Sequence, residues 1–192
     1  MKKKILTILL CGVMVLGITG CSNPVSDSKK DLDNAKQELE ETYEKYGWVE
    51  KETVNTLIAK YNTEIMDSGM GTPAHDDYMV IENDTYWFAL TDDITFYVKP
   101  VECSEDKMKD IADLSAVRIH KENFNEETIV NYAKKLIKAN NNDFTDEEIN
   151  TFIKEAQEFK QDGKMSNNGK GISVGIFETN DFYEYQVRRI YK

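Results

Sequence analysis

The chain has 192 residues with 24 basic and 35 acidic side chains, which give a formal net charge of −11 at pH 7. A surface this acidic repels phosphate backbones, so the composition excludes proteins that bind nucleic acid through charge. Three cysteines are too few for a disulfide framework, and the fold must therefore be held by its hydrophobic core.

The first twenty residues have the pattern of a secretory signal. Three lysines, Lys2 to Lys4, precede an apolar run from Ile5 to Ile18. This run is shorter than the ~20 residues that a membrane-spanning helix needs. Two small residues, Thr19 and Gly20, then stand directly before Cys21. The pattern predicts export with removal of the segment.

The residues Ile18, Thr19, Gly20 and Cys21 resemble a bacterial lipoprotein box, in which an aliphatic and two small residues precede a cysteine. The resemblance implies cleavage between Gly20 and Cys21 and a diacylglyceryl group on the Cys21 sulfur. Two acyl chains anchor a protein stably, where one is marginal. We therefore expect the chain on the extracytoplasmic face of the cell membrane; an ordinary signal with a chance cysteine is the alternative. Loss of three lysines would lower the net charge from −11 to −14.

Four segments are predicted along the chain: a signal peptide over 1–20, a flexible tether over 21–30, a charged helix or stalk over 31–46, and one α+β domain over 47–192. The tether is polar and carries Pro and Ser, as an anchored domain requires. With Cys11 in the signal and Cys21 lipidated, Cys103 is the one thiol left. Its favoured role is that of a small buried hydrophobic residue.

Apolar residues at spacings of three and four predict four helices. The first is the charged helix over 31–46. The second carries Val54, Leu57, Ile58, Tyr61 and Ile65 on one side and ends before Gly69. The third carries Ile129, Val130, Ala133, Leu136 and Ile137. The fourth begins at Thr145, with Glu148 completing a capping box, and carries Ile149, Phe152, Ile153, Ala156 and Phe159.

Six segments rich in β-branched and aromatic residues predict strands: YMVIE, TYWFAL, ITFYVKP and SAVRIHK before the last two helices, and ISVGIFE and FYEYQVRRIYK after them. Short turns join neighbours, which favours antiparallel pairing. The expected fold class is α+β, an antiparallel sheet of about six strands with helices packed on one face, preceded by a charged N-terminal helix. In the last strand Tyr183, Tyr185, Val187 and Tyr191 are expected on the apolar face, and Phe182, Glu184, Gln186 and Arg188 on the mixed face.

A candidate ligand or partner patch lies on the predicted strands. Arg118 and His120 are two residues apart, so they project from the same face, and Arg188 adds a further cation. Such a group on an acidic protein suits a carboxylate or phosphate, or else pairs with acidic residues of the chain itself. Trp87 and Tyr97, on neighbouring strands, either form an aromatic surface for a partner or fill the core.

No catalytic or metal-binding motif is predicted, nor is a cofactor. The segment from Thr145 to Gly171 resembles the helix and loop of an EF-hand, but Lys160 stands at a ligand position and Gly169 where a bidentate Glu is needed. Acidic pairs follow His75 and lie at Asp92 and Asp93. Loop and turn preferences of Asp explain both pairs.

In its layout the whole chain resembles the small, uncharacterised surface lipoproteins of Firmicutes. We expect a lipid-anchored extracytoplasmic binding or interaction protein, rather than an enzyme, with a cell-surface protein or glycan as its partner and no nucleic acid. The competing interpretation is a cell-surface hydrolase that uses His120 or His75 with carboxylates. A further alternative is a pheromone precursor, released from the apolar VMVLGITG segment of the signal.

Overall fold

The computed structural model of the chain describes residues 24–68, 70, 78–81, 85–101, 110–167 and 169–192. The chain divides into two compact units, and the boundary falls between Lys45 and Tyr46. Nearly all of the described part of the first unit is one helix. The second unit contains the sheet and three further helices.

The first described element is a charged helix, α1 (Pro24–Tyr46). It covers the predicted helix over 31–46, but it also includes residues 24–30, which were expected to be a flexible tether. Proline is favoured in the first turn of a helix because the N–H it lacks would have no helical partner there. This preference accounts for the earlier start. Leu32 and Leu39 are 55% and 45% exposed on the helix surface.

The second unit begins with helix α2 (Val54–Ser68), which confirms the predicted element. At its start the backbone N–H of Thr56 donates to Thr53 Oγ1 at 3.3 Å, an N-terminal cap. The five residues of its predicted apolar face are each at most 4% exposed: Val54, Leu57, Ile58, Tyr61 and Ile65. The helix therefore packs its apolar stripe fully into the core.

Within the described residues, seven strands form one antiparallel sheet: β1 (Tyr78–Ile81), β2 (Thr85–Ala89), β3 (Ile94–Pro100), β4 (Ala112–His120), β5 (Ser166–Asn167), β6 (Ile172–Glu178) and β7 (Phe182–Arg189). Their spatial order is β1-β2-β3-β4-β7-β6-β5. The six predicted strands are all present, and β5 is a short addition at one edge. The first four strands form a meander, and the last hairpin returns to place β7 beside β4.

Two helices connect β4 to the last strands. Helix α3 (Glu126–Asn140) is capped by Asn125, whose Oδ1 accepts from the backbone N–H of Thr128 at 2.9 Å. Helix α4 (Asp146–Phe159) begins with the predicted capping box, in which Thr145 and Glu148 each accept from the other's backbone N–H. Both helices thus begin where their own sequence satisfies the free N–H groups.

The helices of the second unit pack on one face of the sheet, as the sequence predicts. The strand residues buried against them include Phe88, Phe96, Val98, Val117, Ile119, Val174, Tyr185 and Val187. Successive side chains of a strand alternate between faces, so the intervening residues lie on the other side. That other face holds the candidate patch.

The start and the end of the second unit are joined tightly. Gly171 N donates to Tyr46 O at 2.6 Å, and Ile190 N donates to Gly171 O at 2.7 Å. Gly47 and Gly171 both have positive φ, and a Cβ on Gly171 would lie 2.4 Å from Gly47 O. Only glycine allows this close approach.

A buried ion pair lies near the same junction. Arg189 and Glu52 are 5% and 9% exposed, and the Arg189 guanidinium contacts the Glu52 carboxylate. Lys60 Nζ lies 2.5 Å from Glu52 Oε1. Burial lowers the pKa of Arg189. Removal of Glu52 would leave the Arg189 charge buried without this carboxylate, which is costly, whereas removal of Arg189 would leave Glu52 paired with Lys60 alone.

Candidate functional site

Strand register brings three of the predicted patch residues together on the sheet face opposite the helices. Trp87 of β2 lies directly across from Tyr97 of β3, and Tyr97 lies across from Ala116 of β4. Arg118 follows two residues further along β4 and therefore projects from the same face. Because the Ala116 side chain is small, the larger side chains of Trp87 and Tyr97 have room to pack beside it.

Arg118 is stacked between two aromatic rings. Its guanidinium carbon lies 3.8 Å from the centroid of the Trp87 ring and 4.2 Å from that of Phe182 on β7. Burial lowers the pKa of Arg118, and the nearby carboxylate of Glu184 opposes that shift. A cation over an aromatic face contributes roughly 0.5–2 kcal/mol, more when water is excluded. The sandwich fixes the direction of the guanidinium.

Tyr97 is buried and anchored by hydrogen bonds. It is 8% exposed, its hydroxyl donates to Glu184 Oε1 at 2.5 Å, and Gln186 Nε2 donates to Tyr97 Oη at 3.4 Å. Gln186 Nε2 also donates to Glu184 Oε1. Burial, and then the charge of Glu184, raise the pKa of Tyr97.

Of the two alternatives that the sequence left open for Tyr97, an exposed aromatic surface or filling of the core, the burial of its side chain agrees with the second. The residue belongs to a second, smaller apolar cluster with Leu114 and Ala116, against which Trp87 packs. This cluster lies on the face opposite the helices because odd-numbered residues of β3 point away from the core. Tyr97 thus contributes a buried ring to this face, and Trp87 packs against it.

Trp87 completes this arrangement. Its ring lies 4.7 Å from that of Tyr97, centroid to centroid, with 32° between the planes. It is half-buried, whereas its neighbours Tyr86 and Phe88 are each 2% exposed on the helix-covered face. The three consecutive aromatics therefore divide between the two faces of the sheet, as side chains along a strand do.

His120 lies at the end of β4, against the edge of Phe182. Their ring centroids are 5.0 Å apart and nearly perpendicular, at 75°. The backbone N–H of His120 donates to Asp93 O at 3.3 Å. Within the described residues no ion pair or hydrogen bond joins the imidazole to a carboxylate. His75, the other candidate, lies outside the described residues, together with Asp76 and Asp77.

Arg188 lies on the same face but apart from the stacked rings. It is exposed, and its register partners are Leu114 on β4 and Ser173 on β6. The adjacent Arg189 points to the opposite face and pairs with Glu52. The arginines at the end of the chain therefore have different roles, and only Arg188 belongs to the candidate surface.

We name the group of contacting side chains the sheet-face cluster: Trp87, Tyr97, Arg118, His120, Phe182, Glu184 and Gln186. The sequence alone indicated four of these seven residues and placed the other three on the same mixed face of the last strand, without assigning them to the patch. Pairing of β7 with β4 is what joins the two sets, because it sets Arg118 opposite Glu184 and His120 opposite Phe182.

Three polar atoms of the cluster are buried without a hydrogen-bond partner in the described part of the chain. They are Trp87 Nε1, Arg118 Nε and His120 Nδ1. Buried polar groups are nearly always paired, with protein or with water, so each such atom requires an explanation. Their grouping on one face marks this surface for a functional interpretation.

The predicted lipid site and cleavage site, Cys21 and Gly20, lie outside the described residues, as does Cys103. Among the residues described, no helix is both long enough and apolar enough to span a membrane. The same residues contain no group of three or more His, Cys, Asp or Glu side chains arranged for a metal ion. The Asp92–Asp93 pair lies in the β2–β3 turn, where Asn123 Nδ2 donates to Asp93 Oδ1 at 2.6 Å.

Three surface grooves lie away from the cluster. Their volumes are about 570, 330 and 330 Å³, and no residue of the sheet-face cluster lines any of the three. The first lies between α3 and α4, the second includes Arg189, and the third includes Tyr183 and Tyr185. The cluster therefore does not line any of these three grooves.

Comparison with known proteins identifies no relative of this chain. No family model, no curated protein and no solved structure matches it.

Proposed function

We propose that the chain is a lipid-anchored binding protein on the extracytoplasmic face of the membrane, and that its partner contacts the sheet-face cluster. One observation carries the proposal. Three buried polar atoms without partners in the described part of the chain lie beside aromatic rings that are already stacked and oriented. A partner that supplies hydrogen-bonding groups there would satisfy atoms that the described residues leave unpaired.

The charges of this face favour a partner that offers acceptors. Among the described strand residues on this side, Lys99, Arg118 and Arg188 are basic and Glu184 is acidic. The chain as a whole carries a net charge of −11, so the face is a local exception. Complementary charge steers association and fixes register. A partner with carboxylate or carbonyl groups fits this face best.

The extent of the cluster over four strands favours a protein over a small ligand. Small-molecule sites are concave and bury most of their ligand. The cluster instead extends over β2, β3, β4 and β7, and buried aromatic and arginine side chains are the residue types that dominate protein interfaces. We therefore assign a cell-surface protein, rather than a glycan, to this face.

The geometry supports binding better than hydrolysis. A hydrolase that uses His120 needs a carboxylate or a nucleophile within hydrogen-bonding reach of the imidazole. Glu184, the carboxylate of the cluster, accepts hydrogen bonds from Tyr97 and Gln186. The His120 ring packs on Phe182 instead.

The lipid anchor is tested by intact-mass analysis and membrane fractionation of the wild type beside Cys21→Ala. We expect the wild type to lose residues 1–20, to gain the mass of a diacylglyceryl group and to sediment with membranes, while the variant is not lipidated. A soluble wild type with a free thiol at Cys21 would contradict the anchor. Cys21 and Cys103 would then become candidates for a disulfide.

The binding face is tested by photo-cross-linking on intact cells. A benzophenone amino acid replaces exposed Arg188 on the sheet face, and the matched control replaces Asn150, which is exposed on α4. We expect one discrete adduct from position 188 and none from position 150. Equal adducts from both positions, or none from position 188, would contradict the proposed face.

A further inference from the structure

A separate groove lies on the helix-covered side of the sheet, at the corner where α3 begins and α4 ends. Its volume is about 330 Å³. The floor is formed by β6 and β7 and the walls by the two helix ends; the lining residues are Phe124, Glu126, Gln157, Lys160, Ile176, Tyr183 and Tyr185. None of them belongs to the sheet-face cluster. We refer to this site as the corner groove.

One wall of the corner groove is aromatic and partly open to solvent. Phe124 is 41% exposed, and its ring lies 4.4 Å from that of half-buried Tyr183, with 42° between the planes. The two rings together form an aromatic surface on the lining of the groove. The floor is more enclosed, because Tyr185 is 4% exposed.

The lining of the corner groove also includes hydrogen-bonding side chains that contact one another. Gln157 Nε2 donates to Glu126 Oε1 at 3.0 Å, and the Tyr185 hydroxyl is hydrogen-bonded to Gln157. Burial raises the pKa of the Tyr185 hydroxyl above its usual value. A carboxylate has about four acceptor positions and an amide has two donors and two acceptors. Both side chains therefore retain capacity for a ligand.

The charges around the corner groove balance. Glu126 and Lys160 both line it, one acidic and one basic. Beside Tyr183, Lys121 Nζ lies 2.7 Å from Glu178 Oε1, so those two charges neutralise each other. A site without net charge gives an ionic ligand no electrostatic advantage. The complementary ligand is neutral, with one apolar side and several hydroxyl groups.

We infer that the corner groove binds a neutral saccharide. A pyranose ring presents C–H groups on one face, which suit the rings of Phe124 and Tyr183, and hydroxyls at its edge, which suit Glu126 and Gln157. The groove volume lies at the lower end of the range for small-ligand sites, which corresponds to one or two sugar rings. The inference goes beyond the proposed function and does not depend on it, because it needs neither the lipid nor the sheet-face cluster.

The test uses nuclear magnetic resonance titration of the full chain with two neutral disaccharides, cellobiose and chitobiose. We expect at least one of them to shift the resonances of Phe124, Gln157 and Tyr183 at millimolar concentration. Loss of one stacking ring in Phe124→Ala should weaken binding about three- to ten-fold. Gln157→Met, which keeps the volume but removes the amide, should weaken binding as well.

Phe159→Ala is the matched control, because Phe159 is 39% exposed and does not line the groove. We expect this variant to bind like the wild type. Three results would overturn the inference: no shift with either disaccharide, equal weakening in the Phe124 and Phe159 variants, or unchanged affinity in a Phe124→Ala protein that retains the wild-type spectrum elsewhere.

Discussion

The two faces of the sheet are built from the same strands and have opposite chemistry. On β3, Phe96 is 0% exposed and packs against Tyr61 and Phe88 in the helix-covered core. The next residue, Tyr97, lies on the other face, where its hydroxyl donates to Glu184. A step of one residue therefore separates an apolar contact that holds the fold from a polar network that orients a charged surface.

The two faces of the sheet therefore contribute differently to the domain: one mainly to stability, the other mainly to the geometry of a polar surface. The helix-covered face is packed mainly with apolar residues, beside the buried Glu52–Arg189 ion pair, and hydrophobic burial there supplies stability without directional requirements. The other face uses arginine, histidine and a carboxylate among aromatic rings. Such groups stabilise less than close-packed hydrophobic residues do, but they define geometry and specificity. Substitutions on the two faces should separate these roles, with the largest loss of stability in the core.

The largest loss of stability is expected from Phe96→Ala. Truncation of a fully buried phenylalanine removes its contacts with Tyr61 and Phe88 and leaves a cavity. The free energy of unfolding should fall by about 3–5 kcal/mol. Urea denaturation followed by circular dichroism measures it. If Phe96→Ala lowered the free energy of unfolding no more than Trp87→Ala does, the expected difference in stability between the two sheet faces would be contradicted.

A smaller loss is expected from Trp87→Ala on the opposite face. The half-buried ring contacts Tyr97 and Arg118, and its removal deletes one aromatic pair and one cation–π contact. We expect the free energy of unfolding to fall by about 1–3 kcal/mol. Urea denaturation measures this loss as well, and the loss in Phe96→Ala, measured in the same experiment, is the value with which it is compared.

Tyr97→Phe should cost less at neutral pH and should alter the response to alkali. Loss of the hydrogen bond to Glu184 is expected to lower the free energy of unfolding by about 1 kcal/mol. The pKa of Tyr97 is higher in the folded chain than its unfolded value of 10.0. The folded state therefore keeps a proton that the unfolded state loses, and stability falls as the pH rises above that value.

The measurement is the free energy of unfolding of wild type and Tyr97→Phe at a series of pH values from neutrality to above the unfolded pKa of 10.0. The variant should lose stability less steeply in the alkaline range, because one of the shifted hydroxyls is absent. Tyr61 and Tyr191 also have raised pKa values, so a residual slope is expected. Identical slopes would contradict the burial of the Tyr97 hydroxyl.

The smallest effect on folding is expected from Arg188→Ala. Arg188 is exposed on the sheet face, and substitutions at such positions usually change stability by less than about 0.5 kcal/mol. Thermal unfolding should superimpose on that of the wild type. A larger loss would mean that Arg188 supports the fold and is not free to contact a partner.

Local patterns in the sequence predicted much of this architecture. Alternation placed Phe182, Glu184 and Gln186 on one face of the last strand, and spacings of three and four predicted α2 with its five buried residues. Thr145 and Glu148 predicted the start of α4. These features depend on near neighbours in the chain, and a periodic pattern reports such neighbours directly.

Local sequence patterns do not predict which strands that are distant in the chain will pair. The contact of Arg118 with Phe182 and Glu184 requires β7 to lie beside β4, and no turn signal encodes that pairing. The buried Glu52–Arg189 pair has the same origin, since it joins the beginning of the second unit to its end. Alternation in the last strand placed Arg188 on the mixed face, but it gave no sign that the adjacent Arg189 pairs with Glu52.

The most direct test of the binding face combines binding with folding in one variant. The Trp87→Ala substitution is introduced into the chain that carries the photo-cross-linker at position 188, and the adduct yield on intact cells is measured beside the free energy of unfolding. We predict that the adduct is lost while the protein remains folded, because Trp87 orients the Arg118 surface that the partner contacts. An undiminished adduct from the folded variant would contradict the assignment of binding to the sheet-face cluster.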